Sequence, residues 1–377
     1  MNDRIGRRVF QAAALLGLLM LITASGCRDE APDRPAPTPE PRVHAFYYPW
    51  YGTPELDGSY RHWNHAQLGA VEDRRTYQGG DDIGADFYPS LGCYSSGDPV
   101  AVQQHMHWAA RAGIGTLCVS WWGVHSFEDR LLPVLLKSAD LHGLELSLHL
   151  EPFPGRDAAT MRGALIHLVG RYGDRDVFYH LPGDDRLVCF VYDSYLTPAA
   201  EWAALLRPGG RLSIRGTNLD VVMLGLWVEE DDGPELLAAG FDGFYTYFAT
   251  DGFTYGSTVA NWSALAAFAR AHDLIFVPCV GPGYADLRIR PWNIANQRER
   301  EAGAYYRRMA AAAVATSPDL IGLTSFNEWH EGTQIEPAQP NSLPDFVYRD
   351  YLPLEPEAYL DLTAQWVAAY RAALADR

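Results

Sequence analysis

The stretch GTLCVSWWGVHSFEDRLLPVLLKSADLHGLELSLHLE, residues 115–151, sets one helical pattern between two short apolar runs. The runs at 115–122 and 144–151 are nearly continuous in apolar and β-branched residues, the signature of strands buried on both faces. Residues 128–142 carry their apolar side chains at helical spacing instead. Strand, helix, strand in this order makes two parallel neighbours joined by a crossover. The same unit recurs along the chain. Further runs are VHAFYYPW at 43–50, RLVCFVYD at 186–193, DVVMLGLW at 220–227, GFDGFYTY at 240–247, LIFVPCV at 274–280 and LIGLTSFNEW at 320–329. Helical patterns lie at 99–112, 158–171, 261–272, 297–316 and 357–374. Eight such runs predict an α/β chain folded as a (β/α)8 TIM barrel, in a single domain over 43–377.

Composition agrees with one soluble body. Of 377 residues, 48% are hydrophobic and 20% charged, which excludes a disordered chain. Lys and Arg number 30 against 47 Asp and Glu, a formal charge of −17, so no broad basic footprint is on offer and a nucleic-acid partner is not expected. Eleven Trp and 21 Tyr against 15 Phe favour rings with a polar handle, which suit sugar faces as well as cores.

The first residues read as an address. Arg4, Arg7 and Arg8 precede an apolar run from Val9 to about Ala24, too short for a comfortable membrane span. Residues 1–26 are therefore expected to be a signal peptide. Ala24-Ser25-Gly26-Cys27 resembles a bacterial lipobox, making Cys27 the lipidation site, with 27–42 a lipidated cysteine followed by a Pro-rich tether. A monomer held at the bacterial cell envelope, touching membrane through its lipid alone, is the expectation. Cys93, Cys118, Cys189 and Cys279 remain, with no C-x-x-C pair, and read as free thiols, most of them in buried strands. His105 and His107 stand two apart on a helical pattern and face different ways, so they do not suggest a metal centre, and no cofactor is expected.

In such a barrel the reactive groups sit at the C-terminal ends of strands. Those ends carry Trp50 and Tyr51, Trp121 and Trp122, Glu151, Tyr192 and Asp193, Trp227, Tyr245 and Tyr247, Tyr284, then Asn327, Glu328, Trp329, His330 and Glu331. One aromatic at a strand end is ordinary packing. Aromatics and carboxylates at nearly every end describe a carbohydrate cleft, with rings for C–H faces and carboxylates for hydroxyls. Glycoside cleavage needs an acid for the departing oxygen and a second group that supplies or activates the nucleophile. Glu328 and Glu331 share one short loop where Trp329 and His330 crowd them and Asn327 can hold a carboxylate; a carboxyl under indole rings is expected to have a raised pKa, as a general acid near neutrality requires. Glu151 leaves a strand into Pro152 and is either an acceptor for a sugar hydroxyl or half of a catalytic pair.

Several segments together are specific: AFYYPWYG at 45–52, SWWG at 120–123, EPF at 151–153, YTYF at 245–248, VGPGYADLRIRPWN at 280–293 and SFNEWHEGTQIEPA at 325–338. They resemble the motifs of family 99 glycoside hydrolases, which include endo-α-mannosidases and endo-α-1,2-mannanases. The resemblance implies a (β/α)8 barrel without metal that cleaves internal α-1,2-mannosidic linkages of mannan or mannose-rich glycans with retention. It implies attack by the substrate's own 2-hydroxyl through a 1,2-anhydro sugar. By motif position Glu328 is then the base and Glu331 the acid. Glu151 and Tyr247 fall on sugar-contacting positions, and Tyr47 or Tyr48, Trp121, Trp122, Tyr284, Arg288, Arg290 and Asn327 on cleft positions. Tandem Trp resembles bacterial members, which favour mannose over glucose beyond the cleavage site. Two alternatives stay open: a non-catalytic carbohydrate-binding lipoprotein, and a retaining glycosidase that pairs Glu151 with Glu328.

Overall fold

The computed structural model describes residues 38–69, 74–173 and 176–376. The expected signal peptide, Cys27 and most of the expected tether lie outside these residues. Eight strand runs form one parallel ring: β1 Glu40–Tyr47, β2 Ile114–Trp121, β3 Glu145–Leu150, β4 Val188–Val191, β5 Val222–Leu226, β6 Gly243–Tyr245, β7, and β8 Ile321–Leu323. Strand β7 is broken by Pro278 into Ile275–Val277, which pairs with β6, and Cys279–Val280, which pairs with β8. Proline brings no N–H to the ladder. The ladder is mended locally: the Pro278 carbonyl accepts from the Gly322 N–H at 3.0 Å, and Thr246 Oγ1 accepts from the Cys279 N–H at 2.9 Å. Because β1 pairs with both β2 and β8, the ring closes.

A helix follows every strand, at Pro99–Arg111, Phe127–Leu141, Ala158–Tyr172, Ala199–Leu206, Asp232–Ala239, Trp262–Ala271, Ala304–Ala315 and Ala358–Ala375. Local chemistry starts them. Ser126 accepts from the Asp129 N–H, and Asp157 forms a reciprocal capping box with Thr160. The pattern at 297–316 is cut back to Ala304–Ala315, because Arg298 pairs with Tyr284 and Gly303 turns at φ 84°. The first strand opens at Glu40, ahead of the expected Val43; its N–H donates to the Gly113 carbonyl at 2.8 Å. Among the described residues no helix is long and apolar enough to cross a membrane.

The barrel interior is built of rings. Phe46 lies 4.7 Å from His149, 5.6 Å from Phe190 and 5.8 Å from Tyr245, and His44 Nδ1 is 2.9 Å from Ser147 Oγ. Strand side chains alternate between interior and helix layer. Tyr47, one residue past Phe46, therefore points outward, and its hydroxyl meets His105 Nδ1 at 2.9 Å. His105 is buried while His107 is exposed, as their spacing predicts. The four described cysteines are free; Cys118, Cys189 and Cys279 are buried and Cys93 is half-buried.

Candidate active site

The alternation that fills the barrel also chooses what reaches its mouth. Residues in phase with the interior, Tyr48, Trp122, Glu151, Tyr192 and Tyr247, emerge around one cleft of about 170 Å³. Long loops complete it. His62 and His65 come from the connection after β1, Arg290 from the excursion after β7, and Glu328, His330 and Glu331 from the loop after β8. A second hollow of about 370 Å³ shares Tyr192, Arg290 and Glu331 and continues past Phe248, Phe253 and Trp292.

Glu328 is 4% exposed, and its Oε2 has no hydrogen-bond partner. Burial first, and then the charge of Glu331, hold its pKa well above the ordinary carboxylate range, against the pull of Arg290 and of the His330 and Glu331 backbone N–H groups. Glu331 is also raised by burial. Arg290 opposes that shift, donating from Nη1 to Glu331 Oε1 at 3.2 Å, while Asp286 and Glu151 add to it. Arg290 is itself anchored. Asp286, with no solvent exposure, accepts from Arg290 at 3.1 Å, Tyr284 at 2.8 Å, Asn293 at 2.8 Å and Gln297 at 2.7 Å.

Across the cleft, Glu151 Oε1 accepts from Ser120 Oγ at 2.7 Å and from His149 Nδ1 at 3.1 Å. With Nδ1 donating, His149 Nε2 accepts from the Tyr245 hydroxyl at 2.8 Å, which fixes the tautomer. The hydroxyls of Tyr48 and Tyr247 share a hydrogen bond of 2.5 Å, and burial keeps both phenols protonated. Tyr247 sits at φ 46°, a left-handed conformation uncommon for an aromatic residue; Thr324 Oγ1 donates to its carbonyl.

Three imidazoles make the remaining wall. His62 stacks on Trp50 at 4.0 Å and meets His330 edge-on at 4.5 Å, and His65 lies 5.0 Å from His330. Burial lowers the pKa of each, so all three are neutral near pH 7. Among the described residues, His62, Glu328 and His330 are the group whose spacing could hold a metal ion.

The family model for glycosyl hydrolase family 99 matches residues 39–372. The chain belongs to this family. It is 44% identical over 344 residues to the glycoprotein endo-alpha-1,2-mannosidase of Rattus norvegicus, an alignment covering 87% of this chain and 74% of the relative. It is 43% identical over 352 residues to the glycoprotein endo-alpha-1,2-mannosidase-like protein of Homo sapiens, covering 88% and 77%. The solved GH99 endo-alpha-mannosidase from Bacteroides thetaiotaomicron superposes with a TM-score of 0.87 at 44% identity, covering 89% of this chain and 99% of that one. A (β/α)8 glycoside hydrolase is therefore the framework for the residues that follow.

Of the family 99 positions expected in the cleft, Glu328, Glu331, Glu151, Tyr247, Tyr48, Trp122 and Arg290 line it, and Tyr284 lines the adjoining hollow. Four others are placed elsewhere. Tyr47 and Trp121 are out of phase with the interior: Trp121 is fully buried, donating from Nε1 to Asp129 at 3.0 Å. Arg288 packs its guanidinium 3.8 Å over Phe346 and donates to Asp82 at 2.6 Å, pinning two loops together. Asn327 holds no carboxylate. Its Oδ1 accepts from the Tyr48 N–H at 2.7 Å and its Nδ2 donates to the Tyr48 carbonyl at 3.1 Å, which aims Tyr48 at the cleft. Trp329 commits its indole N–H to the buried Glu336 at 2.9 Å, and the indoles that line the cleft with Glu328 are those of Trp50 and Trp122. His62, His65, His149 and Asp286 were not singled out from sequence. For His149 the signal was available, two residues before Glu151 on the same strand face.

Proposed function

We propose that this family 99 enzyme cleaves internal α-1,2-mannosidic linkages of mannan or mannose-rich glycans, with the substrate's 2-hydroxyl as the attacking group. The observation that carries the reading is that Glu328 and Glu331, three residues apart, open into one aromatic cleft beside a single guanidinium. In the proposed reaction Glu328 removes the proton from the 2-hydroxyl as its oxygen attacks the anomeric carbon. Glu331 protonates the departing glycosidic oxygen. Water then opens the 1,2-anhydro sugar at the anomeric carbon, giving its proton to Glu331 while the 2-oxygen recovers one from Glu328, so two inversions return the original configuration. Each proton transfer contributes roughly 10²- to 10⁴-fold.

The free cleft favours the opposite proton placement: Arg290 stabilises ionised Glu331, whereas the bare Oε2 of Glu328 favours its acid form. A bound mannose reverses this. Its 2-hydroxyl supplies a donor to Glu328, and its glycosidic oxygen an acceptor for Glu331 in a cleft emptied of water. Tyr48 and Tyr247 remain neutral and serve as hydroxyl partners. Trp122, 36% exposed at the cleft edge, supports mannose as the sugar beyond the cleaved bond. We further propose lipid anchoring through Cys27 at the bacterial cell envelope, with the catalytic domain a monomer; a Cys27→Ala chain that still partitions with membranes would refute the anchor.

Product analysis on α-1,2-linked mannan and on a glucosylated mannoside tests the substrate reading. Endo release from the mannan, faster than from the glucosylated substrate, is expected; exo release of single mannose units, or no cleavage of either, overturns it.

A further inference from the structure

We propose that His62, His330 and Glu328 form a binding site for a divalent transition-metal cation, with zinc the best fit, and that filling it blocks hydrolysis. The blocking half rests on the reading of Glu328 as the base; the binding half does not.

The three residues line the cleft and each offers one ligand atom, these atoms lying within 4.8 Å of one another. Two of them are buried polar groups left without partners. His330 is 1% exposed with neither Nδ1 nor Nε2 hydrogen-bonded, and Glu328 Oε2 is likewise bare. Leaving such groups unpaired is costly, and a ligand that engages them recovers that cost. His62 is already oriented, its ring stacked on Trp50 and set against His330. Arg290, the cation beside the carboxylates, is committed to Asp286 and Glu331. His65 stands outside the group, with Nδ1 engaged by its neighbour's carbonyl at Ala66 (2.6 Å).

Donor chemistry selects the cation. Two imidazole nitrogens and one carboxylate oxygen are the donor set of catalytic zinc centres, with a fourth position left for water. Calcium and magnesium prefer oxygen ligands throughout and find too few here. Geometry argues that occupancy is weak and reversible. Bonds of about 2.1 Å place tetrahedral ligands roughly 3.4 Å apart, within the 4.8 Å span of these three atoms. Neither nitrogen of His330 has an acceptor behind it, and such outer partners are worth about 10- to 100-fold in affinity. The site is therefore suited to sensing free metal rather than to retaining it. A bound cation takes the lone pair that Glu328 needs to accept the 2-hydroxyl proton, and it stands where that hydroxyl would lie.

Calorimetric titration of the metal-free chain with zinc chloride tests the binding half, and steady-state hydrolysis of a mannoside at graded zinc tests the blocking half. Expected are one zinc per chain with micromolar affinity, and inhibition competitive with substrate and reversed by EDTA. His62→Asn keeps a residue at ease at φ 63°, and His330→Phe fills the same volume; each should weaken zinc binding at least 10-fold while the melting temperature confirms a folded chain. No heat of binding up to millimolar zinc, or binding unchanged in both variants, overturns the site. Stoichiometric binding that both variants lose, without inhibition, overturns the blocking half and with it the assignment of Glu328.

Discussion

Trp121 and Trp122 are neighbours in sequence and stand on opposite sides of the barrel wall: the first is fully buried against the helix layer, the second edges the cleft. Their substitutions should separate stability from binding. Trp121→Ala empties a packed site and removes one of the donors to Asp129, and is expected to cost about 3–5 kcal/mol in urea unfolding. Trp122→Ala should leave unfolding nearly unchanged and raise KM about 10-fold through lost stacking. Equal effects of the two on stability would contradict the phase assigned to β2.

Glu328→Gln should lose roughly 10²- to 10⁴-fold in kcat. It should also make the protein more stable. The folded-state pKa of Glu328 is raised above its ordinary value of 4.5, so from there upward the folded chain binds more protons than the unfolded one, and stability falls as pH rises through the folded pKa. Glutamine removes that dependence. The gain in melting temperature over the parent should be small at pH 5 and grow toward pH 8; a gain independent of pH would show that the carboxyl's charge is not what burial penalises.

Arg290 and Asp286 should move the alkaline limb of the pH–kcat profile in opposite directions. That limb follows loss of the proton from the acid, assigned to Glu331, within a pair whose titrations are coupled. Asp286 and Glu151 act on Glu331 as negative charges and Arg290 as the positive one, while Glu328 shares its proton balance with Glu331. Arg290→Met removes the group that lowers the pKa of Glu331, so the limb should shift to higher pH. Asp286→Asn removes a charge that raises it, so the limb should shift to lower pH. A shift of the same sign in both variants would mean that they act by disordering the loop.

A mannoside lacking its 2-hydroxyl at the cleaved sugar should not turn over if that hydroxyl is the nucleophile. The test is a direct comparison of kcat for the deoxy and parent substrates with the same leaving group. Comparable rates would move the nucleophile to a side chain, and Glu151, held by Ser120 and His149 across the cleft, would be the residue to trap.

The eight strands were legible because each is apolar on both faces, a pattern that solvent-exposed chain does not sustain. The helical spacing of residues continues back to 297, yet the helix begins at Ala304 because the backbone of the excursion after β7 pairs Arg298 with Tyr284. Within the site, Glu328, Glu331 and Glu151 could be found from their place at strand ends. Side-chain direction was harder to read. Motif position alone groups Tyr47 and Trp121 with Tyr48 and Trp122, although the two-residue period separates each pair once Glu151 fixes which face looks inward. Arg288 and Asn327 are near the site in sequence but serve it by holding loops and backbone, and nothing local announces a side chain's partner dozens of residues away. His62 and His65 reach the cleft only because the long connection after β1 folds back over the barrel mouth.

Asp286 draws four side chains of its own segment onto one buried carboxylate, so the segment carries its own scaffolding. Trp292 and Ile294, exposed at 54% and 73%, project from this braced frame toward solvent. The tip can consequently be lengthened, shortened or re-lettered by mutation while the guanidinium beneath it keeps its address. Diversification of glycan preference in proteins built this way should accumulate at the outer tip first and reach the proton-handling groups last.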